Sequence, residues 1–247
     1  MKRGIQIRGL RKEYGHTVVL NHIDLDIDHG VFGLLGKNGA GKTTLMKIMA
    51  TLTEPTSGEV WIDGVSIVEK KKIREKIGYC PQELSFYPNE TCGDILEYIL
   101  VLSGAKDREV RRDKVDKVLS VVNLSDCIGK KYKTLSGGMK RRLGIAQAMI
   151  LDPSVLIIDE PSAGLDPEER VRLRNLVASL AEQKTIIIST HIVSGIEDIC
   201  SKIGILNKGN MIFQGDKDEL IRSCDGHLSK PSLEEAYIYQ NLLLEED

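Results

Sequence analysis

The stretch GKNGAGKTT at residues 36–44 constrains this chain more than any other part of it. It fills every position of G-x-x-x-x-G-K-[ST], with Gly36, Gly41, Lys42 and Thr43 in place. An apolar run, residues 31–35, leads into it, and residues 42–49 leave it with helical character. The pattern therefore sits between a strand and a helix, the context that gives it meaning. Its glycines let successive backbone N–H groups converge on one point and form a concavity for an anion. The helix that follows aims its positive end at the same point. Lys42 is placed to reach the β- and γ-phosphates of a nucleoside triphosphate, and the Thr43 hydroxyl to join a Mg²⁺ shell. Asn38, Gly39 and Thr44 complete the loop around the phosphates. A glycine-rich turn with a chance lysine would not be expected to fill all four positions in this context.

The rest of the chain supplies an α/β frame for that loop. Ile5, Ile7 and Leu10 read as a first strand, residues 18–20 and 23–27 as two more, so the chain opens antiparallel. The unbroken apolar run at 31–35 suits a strand buried on both faces. Asp63-Gly64 between two β-prone segments signals a two-residue hairpin. Residues 77–80, 155–158 and 185–189 read as further strands, and residues 167–182 and 192–201 as helices. A last hairpin surrounds Lys208-Gly209-Asn210, and two short amphipathic pieces end the chain. From Thr91 to about residue 128 the apolar spacing turns helical, and a further helix starts at Ser136. We therefore expect one domain, residues 1–247, divided as follows. Residues 1–83 and 151–225 form an α/β core with an antiparallel β portion, 84–150 an inserted helical subdomain, and 226–247 a helical tail.

Composition narrows the function class. The 247 residues carry a formal net charge of −2 with both signs interspersed, so no basic block points to nucleic acid. Five scattered cysteines with no C-x-x-C pair fit reduced thiols better than a disulfide framework or a zinc site. No segment approaches the ~18 apolar residues of a membrane span, so a membrane role would come through a partner.

Hydrolysis of a bound triphosphate needs a carboxylate near magnesium and a group to handle water. VLIIDE at residues 155–160 offers both: four apolar residues bury a strand and present Asp159 and Glu160 at its carboxyl end. Asp159 would hold Mg²⁺ and Glu160 would polarise the attacking water.

With these residues in order, the chain resembles the ATP-binding cassette (ABC) ATPases, P-loop NTPases with a mixed central sheet. LSGGM at residues 135–139 is similar to their signature sequence, residues 36–44 to the Walker A loop and 155–160 to the Walker B strand. Gln82 looks like the Q-loop glutamine, SAGLD at 162–166 like the D-loop, and His191 like the switch histidine. Tyr14 is placed like the aromatic that stacks on adenine. The resemblance implies ATP and Mg²⁺ as ligands, with Thr43, Asp159 and Gln82 around the metal. It implies Glu160, His191, Lys42 and Gln82 as the hydrolytic set. Ser136, Gly137 and Gly138 open a helix and form a second anion site that lacks a lysine. In the family that site serves a second ATPase domain, so the resemblance implies a head-to-tail dimer, homo or hetero. It also implies a separate transmembrane permease subunit and a cytoplasmic place on the inner face of the cell membrane. Met139, Gln147 and Ser162 depart from the family's commonest residues and remove no catalytic group. Residues 84–96 and 232–239 look like the branch that exports drugs, antibiotics or bacteriocins. Phe86 and Tyr87 are expected to be partly exposed there, where a permease helix would dock. The alternative is an ABC ATPase acting on ribosomes or DNA. Such proteins typically carry tandem cassettes or long coiled-coil insertions, and this chain has neither.

Overall fold

A strand with no polar interruption must find cover on both of its faces. In the computed structural model, which describes residues 4–193, 196–224 and 231–242, the central strands find it. β1 (Ile5–Tyr14), β2 (Thr17–Ile27), β4 (Ser57–Ile62) and β5 (Val65–Ser66) form an antiparallel sheet in the order β2-β1-β4-β5. β3 (Gly30–Leu35), β6 (Ile77–Cys80), β7 (Val155–Ile158), β8 (Thr185–Thr190), β9 (Lys202–Asn207) and β10 (Asn210–Gly215) form a second sheet in the order β10-β9-β3-β8-β7-β6. Within it β9, β3, β8, β7 and β6 run parallel, and β10 closes the edge antiparallel to β9.

The two faces of this sheet carry two cores. Phe32 and Leu34 of β3, Ile157 of β7 and Ile187 of β8 face α1 (Lys42–Met49) and the antiparallel sheet. Val31, Leu35, Ile158 and Ile188 join the opposite core. That side holds α3 (Cys92–Leu102), α4 (Arg108–Val121), α5 (Gly137–Met149), α6 (Pro167–Ala181) and α8 (Leu233–Leu242). Two short helices, α2 (Lys70–Arg74) and α7 (Lys217–Arg222), and two 3₁₀ turns, Ser125–Cys127 and Tyr132–Thr134, complete the described elements.

Local chemistry sets many of the ends. Thr91 and Asp94 form a capping box on α3, Asp107 caps α4, and Asp166 with Pro167 starts α6. Asp63 and Gly64 both take positive φ, 49° and 73°, as the mirror-image turn between β4 and β5 requires.

Two expectations change. Residues 18–20 and 23–27 are one strand, not two: His22 takes φ of 50°, and the register against β1 shifts between Leu10 and Lys12. Asn21 and His22 both face solvent there, so a bulge broke the alternation without ending the strand. The helix expected at 192–201 falls partly on residues 194 and 195, which lie outside the described residues; residues 196–199 form turns. Of the expected helical tail, residues 226–230 and 243–247 also lie outside them.

Candidate functional site

Four parallel strands end at one edge of the central sheet, and each hands a functional residue to the loop beyond it. β3 leads to residues 36–41, β8 to His191, β7 to Asp159 and Glu160, and β6 to Gln82. Carboxyl ends of parallel strands are where open α/β sheets bind ligands. A cleft of about 370 Å³ lies there, lined by Asn38 through Thr44, Gln82, Glu160 and Val19.

The loop at 36–41 needs its glycines. A Cβ on Gly36 would lie 2.4 Å from the Leu206 carbonyl oxygen. Gly41 takes φ of 108° as the N-cap of α1, and a Cβ there would meet the Val19 carbonyl oxygen at 2.9 Å. The first turn of α1 carries no acidic residue, so no side chain of the helix itself offsets its positive end at the cleft. Lys42 is buried and donates to the carbonyls of Gly36 at 2.6 Å and Lys37 at 3.3 Å.

Lys42 Nζ also lies 3.2 Å from Glu160 Oε1, and His191 Nδ1 lies 3.0 Å from Glu160 Oε2. A carboxylate only accepts, so Nδ1 carries the proton in that contact. Glu160 is 4% exposed, and its Oε1 has no hydrogen bond although it faces the lysine charge. Glu160 takes φ of 44°, in the left-handed region that favours glycine, and such strain collects at functional sites. Its backbone is pinned: its N–H donates to Ser189 Oγ at 2.9 Å, and Arg141 donates to its carbonyl at 2.9 Å. The Ser189 hydroxyl in turn donates to Asp159 Oδ1. Asp159 is fully buried, and its Oδ2 has no hydrogen-bond partner.

The structure brings Lys42, Thr43, Thr44, Asn38, Gly39, Gly41, Gln82 and Glu160 to one cleft, with His191 and Asp159 bonded into it. It does not bring Ser136, Gly137 and Gly138 to that cleft. Ser136 caps α5, accepting from Met139 N at 3.2 Å, and Gly137 is exposed. Gly138 packs so tightly that a Cβ would meet Glu169 at 2.2 Å. Tyr14 is half exposed at the end of β1, with Lys12 Nζ 4.7 Å from its ring centroid, and it does not line the cleft.

Comparison with known proteins shows the family. The family model described as ABC transporter matches residues 20–163, more than half of the chain. The chain belongs to the ABC transporter family. The bacitracin transport ATP-binding protein BcrA of Enterococcus faecalis is 36% identical over 96% of this chain and 80% of its own length. The Nod factor export ATP-binding protein I of Cupriavidus pinatubonensis is 37% identical over 90% of this chain and 70% of its own. A dimeric structure of a post-hydrolysis state of the ATP-binding cassette MJ0796, bound to ADP and Pi, superposes with a TM-score of 0.77. It shares 27% identity over 86% of this chain and 98% of that one. The fold is thus that of an ABC cassette, and the chain is an ATPase of the ABC type, the ATP-binding subunit of a transporter.

The cassette also holds residues that sequence reasoning missed. Ser189 reads as an ordinary strand residue, yet it ties Asp159 to Glu160. Arg141 is one of three consecutive cations in KRR and gives no sign of burial, yet it is 7% exposed. Nothing in the sequence of the tail points to the cleft. In the structure α8 sets Tyr237, Ile238, Asn241 and Leu242 against Lys37, Asn38 and His191, around a hollow of about 300 Å³. Burial first, and the nearby Glu160 charge as well, push the Tyr237 phenol up, while an Asn241 hydrogen bond pulls it down. Cys80, at the end of β6, is a packing residue; burial pushes its thiol up to about 11.

Away from the cleft, a second hollow of about 730 Å³ opens in the helical region, bordered by Tyr87, Tyr98, Val101, Leu102 and Gln147. Tyr87 is 80% exposed. Phe86 is not a free surface residue: it is half-buried, packed edge-on to Tyr132 at 5.2 Å between centroids. Tyr132 anchors the loop further by donating to the Leu84 carbonyl at 3.0 Å.

Proposed function

We propose that this ABC ATPase powers export through a separate membrane permease, working as one half of a head-to-tail pair of cassettes. The reading rests most on Glu160, a buried carboxylate steadied by His191 at one oxygen and left without a hydrogen bond at the other. The reaction is ATP + H₂O → ADP + phosphate. Lys42 and the N–H groups of residues 38–44 bind the β- and γ-phosphates. Glu160 Oε1 accepts the proton of the attacking water as its oxygen bonds the γ-phosphorus and the bond to the ADP oxygen breaks. His191 holds Glu160 in line, and Gln82, which lines the same cleft, orients the water. Tyr14, half exposed and five residues before the cleft-lining Val19, stacks on adenine.

The donor set fits magnesium. Asp159 Oδ2 is an orphaned buried oxygen one residue before the cleft-lining Glu160, and Mg²⁺ is held by one or two carboxylates plus substrate phosphates. Thr43, Asp159 and Gln82 would hold it. When bound it neutralises charge that develops on the phosphates.

The Ser136 site is the reason for the pair. It lies outside its own cleft and offers helix-end N–H groups with no lysine, so it serves the nucleotide of a second cassette, homo or hetero. Among the described residues no helix is long and apolar enough to cross a membrane. The transport and export names of the relatives favour a permease that is a separate subunit, with the cassette on the inner face of the membrane. The names of the relatives, bacitracin transport and Nod factor export, support export.

Glu160→Gln tests the centre of this reading. It keeps shape and hydrogen bonding and removes the proton acceptor. Turnover should fall by about 10²-fold or more while MgATP still binds. With ATP present the variant should run as a lasting dimer in size-exclusion chromatography with light scattering. Turnover near wild type would reject the role given to Glu160.

A further inference from the structure

We propose that Arg141 is a positioning residue for hydrolysis, a clamp that fixes the Gln82 loop to Glu160 and joins both to the signature helix α5. The proposal rests on the roles given above to Glu160 and Gln82.

The backbone ladder between β6 and β7 pairs Cys80 with Ile158, and its last bond runs from Asp159 N to the Cys80 carbonyl at 2.9 Å. Beyond that bond the two chains part. One turns toward Gln82 and α3, and the other bends through the positive φ of Glu160. The Arg141 guanidinium fills the gap. Nη1 donates to the Pro81 carbonyl at 2.8 Å, and Nη2 to the Gln82 carbonyl and the Glu160 carbonyl, both at 2.9 Å. One planar fork thus continues a ladder that the backbones no longer make.

A buried charge costs the fold heavily unless it is hydrogen-bonded, and packing alone would be met by an apolar residue. Arg141 is spent on three carbonyls, two of them those of Gln82 and Glu160 themselves, the cleft residues given the water to handle. With Ser189 on its N–H and Arg141 on its carbonyl, Glu160 is held on both sides of its strained backbone. Arg141 stands five residues beyond Ser136, about 7.5 Å along one helix at 1.5 Å per residue. A group seated on Ser136 therefore pushes or pulls on Gln82 and Glu160 through a short rigid path.

Arg142, the next residue, is a matched control. It is equally buried at 7%, and it donates to the carbonyls of Val122 and Asn123 at 3.1 and 2.9 Å, with its Nε 3.5 Å from Glu169 Oε2 of α6, none of them a residue that lines the cleft. A guanidinium lost there should cost stability without touching the cleft.

The test is steady-state ATPase kinetics and MgATP binding on the full chain, with thermal unfolding of each variant. Arg141→Met should lower kcat by about 30-fold or more, with KM and MgATP affinity within about 3-fold of wild type. Arg141→Lys, which still reaches part of the carbonyl set, should lose only about 5-fold in kcat. Arg142→Met should lower the unfolding midpoint and keep kcat within about 2-fold. Arg141→Met with kcat within about 3-fold of wild type would overturn the clamp, as would equal kcat losses in Arg141→Met and Arg142→Met. If Arg141→Met does not fold, Arg141→Lys decides: reduced kcat at unchanged KM supports the clamp, and wild-type kcat rejects it. An inactive Glu160→Gln beside an active Arg141→Met rejects the clamp alone, whereas an active Glu160→Gln rejects the reading of the site.

Discussion

The nucleotide cleft and the hollow of the helical region break the burial rule in opposite directions. The cleft hides Lys42, Asp159 and Glu160, each no more than 6% exposed. The hollow shows Tyr87, Tyr98, Val101 and Leu102 to solvent, Tyr98 at 61% and Leu102 at 68%. Either arrangement costs folding free energy, through charge desolvation in one and exposed apolar area in the other. Departures of this kind collect where a protein acts on something else. The two differ in what settles the cost. The cleft settles most of its cost within the chain, since Ser189 donates to Asp159, His191 meets one oxygen of Glu160 and Lys42 the other. Donors and charges fixed before substrate arrives need no rearrangement during reaction. The hollow is incomplete, and its apolar surface asks for a partner. The first should show itself in the isolated chain, the second only in the assembled transporter.

The sharpest way to break this contrast is to strip the hollow. Tyr87→Ala with Tyr98→Ala should leave the ATPase rate of the isolated chain within about 2-fold, because single exposed side chains matter little to stability. Pull-down with the permease and transport should both fall by about 10-fold or more, as for aromatic anchors at an interface. Lost ATPase activity in the isolated variant would show that the hollow belongs to the cassette's own machinery. Phe86 is left intact in this design because its edge contact with Tyr132 makes it part of the fold.

The cleft is tested by Ser189→Ala. It removes the hydroxyl that accepts from Glu160 N and donates to Asp159. Two buried groups are then unpaired, at about 1–3 kcal/mol in unfolding free energy. Denaturant melts should show that loss, with a drop in kcat and a higher Mg²⁺ requirement. An unchanged melt would mean that the bonds around Asp159 are replaced by water.

The smallest effect is expected at Tyr14. Loss of aromatic–base stacking costs about 1–3 kcal/mol where measured on nucleic acids. Tyr14→Ala should weaken ATP binding by roughly that amount, Tyr14→Phe far less, and kcat at saturation should hold in both. Equal affinity in all three proteins would leave Tyr14 as a partner of Lys12 only.

What was legible follows how far apart the interacting residues lie. The 36–44 loop was readable because strand, glycines, lysine and helix are neighbours in the chain and their geometry is local. The helix starts at Thr91, Ser136 and Pro167 were readable for the same reason, whereas the Asp107 cap that divides the helical region was not picked out. Residues 155–158 announced a doubly covered strand by being wholly apolar. The bulge in β2 was not readable, because solvent on two successive residues looks like a strand end until the partner strand shows the register shift. Phe86 is partly exposed as expected, but nothing nearby in sequence revealed the Tyr132 ring it packs against.

The sequence by itself determined the phosphate loop, the acidic pair at 159–160, the order of the motifs and the α/β class, all properties of short contiguous segments. Only the tertiary structure decided that β8 lies between β3 and β7, and hence that His191 and Ser189 flank the Asp159-Glu160 pair across from Lys42. It also decided that one arginine of a basic run turns inward to tie two loops together. Strand order and side-chain burial come from packing two cores on one sheet, and that free energy is shared among residues far apart in the chain.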